Sequence, residues 1–370
     1  MHIHHSLYFL KNRELDEIYL SIAIRSFAIS SIDIFIPIFL LKLGYSIAEV
    51  LMFFAIVNIT HALFVFPSIK ISVKYGFKHS ILFSIPLLIL FYMLLFMVKL
   101  WNLPLYLLAI LFGVSNSLFW MGYHVDFSFF SNMKWRGREI GTAQAVSLIF
   151  TVLGPLVGGI ILSSFGFKVL FLLVALMLLF SSLPLFFSED IKGFDIKIKD
   201  LWGESKFRDI ISLVSRGAET GISMVIWPIF VFFYILNNYF YLGAVSSLFT
   251  FFTLFSIIFV AKISDRCRRL TLRIGAVMNS IVWVLRTFIR TMLQVVFIDS
   301  FYGITQTFIK IPFDALSYDK AESSNTIGFI ALREIMIQIG RTLVYLIASF
   351  IPIKESFLIG AFASLLYFLF

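Results

Sequence analysis

The stretch RSFAISSIDIFIPIF, residues 25–39, is answered further along by RGAETGISMVIWPIF, residues 216–230. In both, an arginine stands twelve residues ahead of a proline, and the proline opens the string Pro-Ile-Phe: Arg25 with Pro37-Ile38-Phe39, then Arg216 with Pro228-Ile229-Phe230. The offset of 191 residues is about half of the 370-residue chain, which makes this an internal repeat. Both arginines fall in long apolar runs, where a charge facing lipid costs about 2.5–3.5 kcal/mol, so each must face protein or water. A duplicated, apolar chain with charges inside its spans points to a membrane transporter.

Composition bounds the same answer. Hydrophobic residues make up 60% of the chain and charged residues 14%, with a mean hydropathy of +0.97. Soluble domains hold about 45–50% apolar and about 25% charged residues, so this chain belongs in a bilayer. A span takes about 20 residues plus a short loop, and roughly twelve would leave little for a soluble domain. The formal charge of +9 lies in short clusters between apolar runs rather than on one basic face, which speaks against nucleic acid as a partner. The single cysteine, Cys267, excludes an intrachain disulfide and a cysteine metal cluster. Lys11, Arg13, Glu14, Asp16 and Glu17 interrupt the N-terminal segment and no small-residue cleavage site follows, so no cleavable leader is expected. His2, His4 and His5 lack an acidic partner and are given no metal-binding role.

Apolar runs predict helical spans at 17–41, 47–68, 79–99, 103–124, 140–163, 167–187, 211–236, 243–262, 272–290, 293–312, 326–349 and 354–370. The basic residues then sort by side. One face takes Lys11, Arg13, the clusters at 70–78, 134–138, 192–208 and 262–273, Lys310 and Lys320; the other receives only Lys42, Lys99, Lys168, Arg290 and Lys354. By the positive-inside rule the richer face is cytoplasmic, and both termini lie there. Five arginines remain inside or at the ends of spans: Arg25, Arg216, Arg286, Arg333 and Arg341. The expected organisation is an all-α polytopic membrane protein with twelve transmembrane helices: an N-terminal six-helix bundle over 1–188, a cytoplasmic linker over 189–209 and a C-terminal six-helix bundle over 210–370. The linker mixes charges with Ile191, Phe194, Ile196, Ile198, Leu201 and Trp202, a pattern suited to lying on the membrane surface or to a simple tether.

Two six-span halves in one orientation, joined by a cytoplasmic loop, resemble the major facilitator superfamily of transporters. The loop Ala261-Lys262-Ile263-Ser264-Asp265-Arg266-Cys267-Arg268-Arg269 is similar to the superfamily signature Gly-x-Leu-x-Asp-Arg-x-Gly-Arg; its Asp-Arg core stands, while Ala261 and Arg268 replace glycines. The matching loop after the second span keeps Gly76 and Lys78 and has Val73 in place of the aspartate. The resemblance implies a gating role for Asp265, Arg266 and Arg269, with Gly76 and Lys78; charge that merely sets topology is the alternative. In the fifth span, Gly154-Pro155-Leu156-Val157-Gly158-Gly159 is similar to the Gly-Pro-x-x-Gly-Gly motif of exporters in this superfamily. Close helix packing around three glycines explains the same residues without any bearing on efflux.

Charges within spans are the candidates for transport. Arg25 and Asp33 share the first span. Arg216 and Glu219, three residues apart in the seventh, share a helix face and can pair. Asp33 or Glu219 can titrate while Arg25 or Arg216 holds an anionic group, or Arg216 and Glu219 form a structural pair. Asn279, Trp283, Arg286 and Arg290 form a stripe on the ninth span, with Asp299 as partner for Arg286; the stripe lines a cavity or serves an interhelical ion pair with Arg290 snorkelling. Arg341, near Gln338, is placed facing the central cavity. His61, on one face with Asn58, relays protons or is a satisfied interhelical histidine, and His124 with Asp126 are too few for a metal site and read as a gate contact.

The functional expectation is a secondary transporter of a small solute by alternating access, coupled to protons and leaning to efflux. It is a monomer in the lipid bilayer of a prokaryotic inner membrane, with no cofactor or metal. No Gly-x-x-x-x-Gly-Lys-Ser/Thr loop is present, and neither His-Glu-x-x-His nor Gly-x-Ser-x-Gly occurs, so enzyme chemistry is not expected. The alternatives are a non-transporting receptor or lipid scramblase on the same fold, and a polytopic membrane enzyme.

Overall fold

The computed structural model describes residues 13–130, 136–186, 206–322 and 326–370, and every regular element among them is helical. The N-terminal set holds α1 (Arg13–Ser30), α2 (Ile36–Lys42), α3 (Ile47–Tyr75), α4 (Phe77–Met97), α5 (Leu105–Phe130) and α6 (Arg136–Ser182). The C-terminal set holds α7 (Phe207–Gly221), α8 (Trp227–Val231), α9 (Tyr239–Arg286), α10 (Met292–Glu322), α11 (Thr326–Ala348) and α12 (Ile353–Leu365). Eight segments among the described residues are long and apolar enough to cross a membrane, the longest being Ser147–Leu185. The chain is an all-α, multi-pass membrane protein. The expected linker lies outside the described residues up to 205, and its last residues already open α7.

The repeated proline breaks the helix in both copies. Pro37 has no N–H, and its ring crowds the carbonyl four residues back, at Asp33; the helix tightens to a 3-10 turn over Asp33–Phe35 and resumes as α2. Pro228 stands in the same relation to Met224, and there the helix widens into a π turn over Ile222–Ile226 before α8, with a second π turn over Phe232–Leu236. Two other changes of direction need no loop: α6 kinks at Gly166, whose φ of 76° lies in the left-handed region that glycine enters freely, and α9 kinks at Cys267. Where loops do occur, polar side chains close the exposed helix ends. Ser46 and Glu49 exchange hydrogen bonds at the start of α3, and Asn238 accepts from the Tyr241 N–H at the start of α9.

Small residues decide which helices touch. A Cβ on Gly158 would fall on the Ser31 carbonyl of the first span, and one on Gly154 on the Ser30 side chain. On its other side α6 meets α9, where a Cβ on Gly159 would come within 2.6 Å of the Tyr239 carbonyl oxygen and the backbone of Gly243 lies against Pro155. Leu156 N–H donates to Ser247 Oγ (3.0 Å) across the same contact. The expected motif thus joins helices of both sets. Gly217 and Gly340 allow an equally close approach of α7 and α11 within the C-terminal set. Outward-facing positions repeat at helical steps of lipid-sized side chains, among them Phe251, Phe255 and Phe259 on α9 and Leu172, Leu176 and Leu179 on α6.

The two sets meet along α3 with α11 and α6 with α9. At the end where α3 finishes, Val65, Ile69 and Met121 pack with Ile327, Phe329, Ile330 and Ala331. At the opposite end the contact is aromatic: Phe35 and Phe167 meet Tyr239 at 6.1 and 5.6 Å between ring centroids, and Phe54 meets Tyr345 at 6.1 Å.

Candidate functional site

The repeat places Glu219 one turn beyond Arg216, facing inward and fully buried. Arg216 Nη1 reaches Glu219 Oε2 at 3.1 Å and Gln306 Oε1 at 3.0 Å. Glu219 Oε1 also accepts from Gln306 Nε2 (2.7 Å), Tyr302 Oη (2.7 Å), Asn279 Nδ2 (3.1 Å) and Trp283 Nε1 (3.1 Å), while Tyr367 Oη donates to Oε2 at 3.3 Å. These donors come from α7, α9, α10 and the turn after α12. The Glu219 side chain is thus the acceptor on which these donors converge.

Trp283 and Tyr302 also cover Arg286. Its guanidinium lies 4.3 Å from the Trp283 ring, 3.9 Å from Tyr302 and 4.1 Å from Trp227, and Nη2 donates to Asp299 Oδ1 at 2.6 Å. Trp227 Nε1 donates to Asp299 Oδ2 at 3.0 Å. The rings compensate the cation where Nε and Nη1 have no hydrogen-bond partner. One network therefore runs Arg216, Glu219, Trp283 and Tyr302, Arg286, Asp299, with no break. Asn279, Trp283 and Arg286 occupy the expected stripe, but α9 ends at Arg286, so Arg290 stands beyond the helix and is exposed, its N–H bonded to Gln294.

In the N-terminal set Arg25 is 3% exposed, stacked 3.6 Å from the Phe119 ring centroid, with Nε and Nη1 lacking hydrogen-bond partners. Asp33, half-buried at the broken turn, accepts from Tyr92 Oη at 3.3 Å and lies within electrostatic reach of Arg25. Arg341, half-buried on α11, donates from Nε to Thr220 and from Nη1 to Gln338, both at 3.3 Å.

A third cluster crosses between the sets. His124 Nε2 of α5 lies 3.3 Å from Glu334 Oε1 of α11, and its Nδ1 lies 3.1 Å from Tyr318 Oη of α10. His61 Nε2 of α3 stands 3.9 Å from Glu334 Oε2. Arg333 holds Glu334 and Asp314, each at 2.8 Å. The Asp126 side chain lies outside the described residues.

Of the loop residues, Gly76 turns α3 into α4 with φ 106°, Lys78 is buried, and Asp265, Arg266 and Arg269 are exposed. Of the quoted loop, the residue that forms an ion pair among the described residues is Arg268, which departs from the signature and pairs with Asp319 of α10. Lys320 pairs with Asp209 at 2.5 Å beside it.

Sequence reading passed over Tyr302, Gln306 and Asp314. They follow Asp299 on α10 at steps of three, four and eight, a polar stripe in an apolar helix, and that periodicity was available to find them. Glu334, Tyr318 and Tyr92 carried no such signal, because their partners come from helices distant in sequence.

A multi-pass helical protein whose ionisable groups are gathered inside and between two packed sets of helices has the architecture of a membrane transporter. The family model described as Major Facilitator Superfamily matches residues 18–201, which takes in the N-terminal set. The chain belongs to that superfamily and is a membrane transporter of small molecules. No curated protein matches it.

Proposed function

We propose that this chain moves a small solute by alternating access, rocking a six-helix bundle of residues 1–188 against one of residues 210–370, twelve spans in all, with proton coupling through Asp33. The supporting observation is that the two sets touch at two separable places: polar contacts of His61 and His124 with Glu334 and Tyr318 at one end, and aromatic contacts around Tyr239 and Tyr345 at the other. A carrier needs two such closures, one opening while the other holds. The basic-rich end, with Asp265, Arg266, Arg269, Gly76 and Lys78 steadying its helix ends, faces the cytoplasm, as do both termini.

Asp33 suits proton coupling better than Glu219. It accepts one hydrogen bond, at 3.3 Å, and is half-buried, so a change there disturbs few partners, whereas Glu219 is held by donors from three helices and the turn after α12. The lean to efflux rests on the likeness of Gly154 to Gly159 to the exporter motif, and helix packing accounts for the same glycines.

Reconstitution in proteoliposomes with an imposed pH gradient and a panel of drugs, sugars, peptides and organic anions tests this, for the intact protein and for Asp33→Asn. Gradient-driven movement of one solute class, abolished by the substitution, is expected. Gradient-driven movement that survives it removes Asp33 from coupling; no movement of any solute sinks the transporter reading.

A further inference from the structure

Five arginines stand inside the spans, and three have a carboxylate of this chain at ion-pair distance: Arg216 with Glu219, Arg286 with Asp299, and Arg333 with Asp314 and Glu334. Among the described residues, Arg25 and Arg341 have none, and one belongs to each set of helices. Their charges are not hidden in the way Arg286's is. Arg25 has a single ring, Phe119, on one face, and two of its nitrogens make no hydrogen bond. Arg341 hydrogen-bonds only to uncharged Thr220 and Gln338; Glu334 acts on it from beyond ion-pair distance, against the like charges of Arg216 and Arg333.

A guanidinium within a membrane helix and without a carboxylate at ion-pair distance is an unfavourable group, and it persists where it serves a ligand or a water-filled path. Its planar fork fits a carboxylate or phosphate through two parallel hydrogen bonds, which a point-like ammonium does not reproduce. A cationic solute would add charge to a region already rich in it, and a neutral one would leave both forks uncompensated. Asp33 acts on Arg25 from beyond ion-pair distance and leaves its nitrogens open, and Lys310, one turn from Asp314, has that carboxylate as a neighbour on its own helix.

We propose that Arg25 and Arg341 are the anion-holding groups of this transporter, and that its solute is a small organic anion bearing a carboxylate or phosphate. This rests on the transporter reading above.

The test is direct binding. The intact protein in detergent is heated at constant ionic strength with acetate, succinate, benzoate or inorganic phosphate, and with acetamide, succinamide and benzamide as uncharged matches. At least one anion is expected to raise the unfolding midpoint where its amide does not, with apparent affinity falling about tenfold or more in Arg25→Gln and Arg341→Gln. Arg25→Lys and Arg341→Lys, which keep the charge and lose the fork, cover the case in which a glutamine variant fails to fold, and they too should bind more weakly. No stabilisation by any anion, or unchanged affinity in the variants, overturns the proposal. Transport by the same protein keeps the two readings apart: movement of a neutral or cationic solute with no anion binding removes the site and leaves the transporter, whereas anion binding without movement leaves the site and removes the transporter.

Discussion

Glu219 concentrates more hydrogen bonding than any other carboxylate among the described residues, and its replacement by an isosteric amide separates charge from shape. In Glu219→Gln one oxygen becomes an NH2 among donors: Gln306, Asn279, Trp283 and Arg216 all present N–H groups, and of the present partners only the Tyr302 and Tyr367 hydroxyls can turn to accept. Removing one partner of a buried pair costs about 3–5 kcal/mol, so a large fall in the thermal midpoint is expected in detergent, with Asp33→Asn as the mild comparison. Equal midpoints for the two variants would contradict the picture of Glu219 as the fastening of the C-terminal set. Much of this network was legible in sequence. A lone charge in an apolar run demands a partner, and the spacing of Arg216 to Glu219 and the nearness of Asp299 to Arg286 in the chain supplied two. Tyr302 and Gln306 were legible only as a polar stripe with Asp299, without their partner, and Tyr367 not at all, because it looks like an ordinary member of an apolar run until α9, α10 and the chain end are brought together around α7.

At the scale of helices, two glycines with different reasons for being glycine make a controlled pair. Gly158 has ordinary helical backbone and no room, its missing Cβ lying where the Ser31 carbonyl of the first span sits; Gly44 has open space around it and a φ of +89°. Gly158→Ala must push α6 away from the first span, an overpacking cost of about 1–3 kcal/mol. Gly44→Ala meets only backbone strain of about 1–2 kcal/mol, in a loop, with no helix contact disturbed. The expected result is that both lower the thermal midpoint but only Gly158→Ala lowers transport by more than the loss of folded protein explains; the reverse order would show that the α1–α6 contact is not the constraint. The apolar runs marked the spans because each is long enough to cross hydrocarbon and is bounded by charge. The kinks at Gly166 and Cys267 were harder to place, since α6 and α9 turn there without a loop, and the runs expected on either side sit a few residues from the observed ends. The π turns before and after α8 have no composition signal beyond Pro228 itself.

Across the whole molecule, the repeat and the one-sided distribution of Lys and Arg already implied two similar bodies, but not where they touch, since contacts between α3 and α11 or α6 and α9 leave no periodic trace in either partner. Those contacts are the most direct handle on motion. Phe54 and Tyr345, with rings 6.1 Å apart, bridge the aromatic end; His124 and Tyr318, 3.1 Å apart at their polar atoms, bridge the other. In a Cys267→Ser background, cysteines at either pair can be joined by a short bifunctional reagent carrying a reducible link, the exposed native thiol having been removed. If the bundles rock about a central site, each closure must open once per cycle, so sealing either end alone should stop net solute movement, and reduction should restore it. The two seals should nonetheless differ in what remains. With the aromatic end fixed, the site stays reachable only from the basic-rich side, and with the polar end fixed only from the opposite side, so labelled solute binding from a single side distinguishes them. Continued net movement with either pair fully joined would rule out rocking as the mechanism, because no path through a permanently closed end is compatible with it.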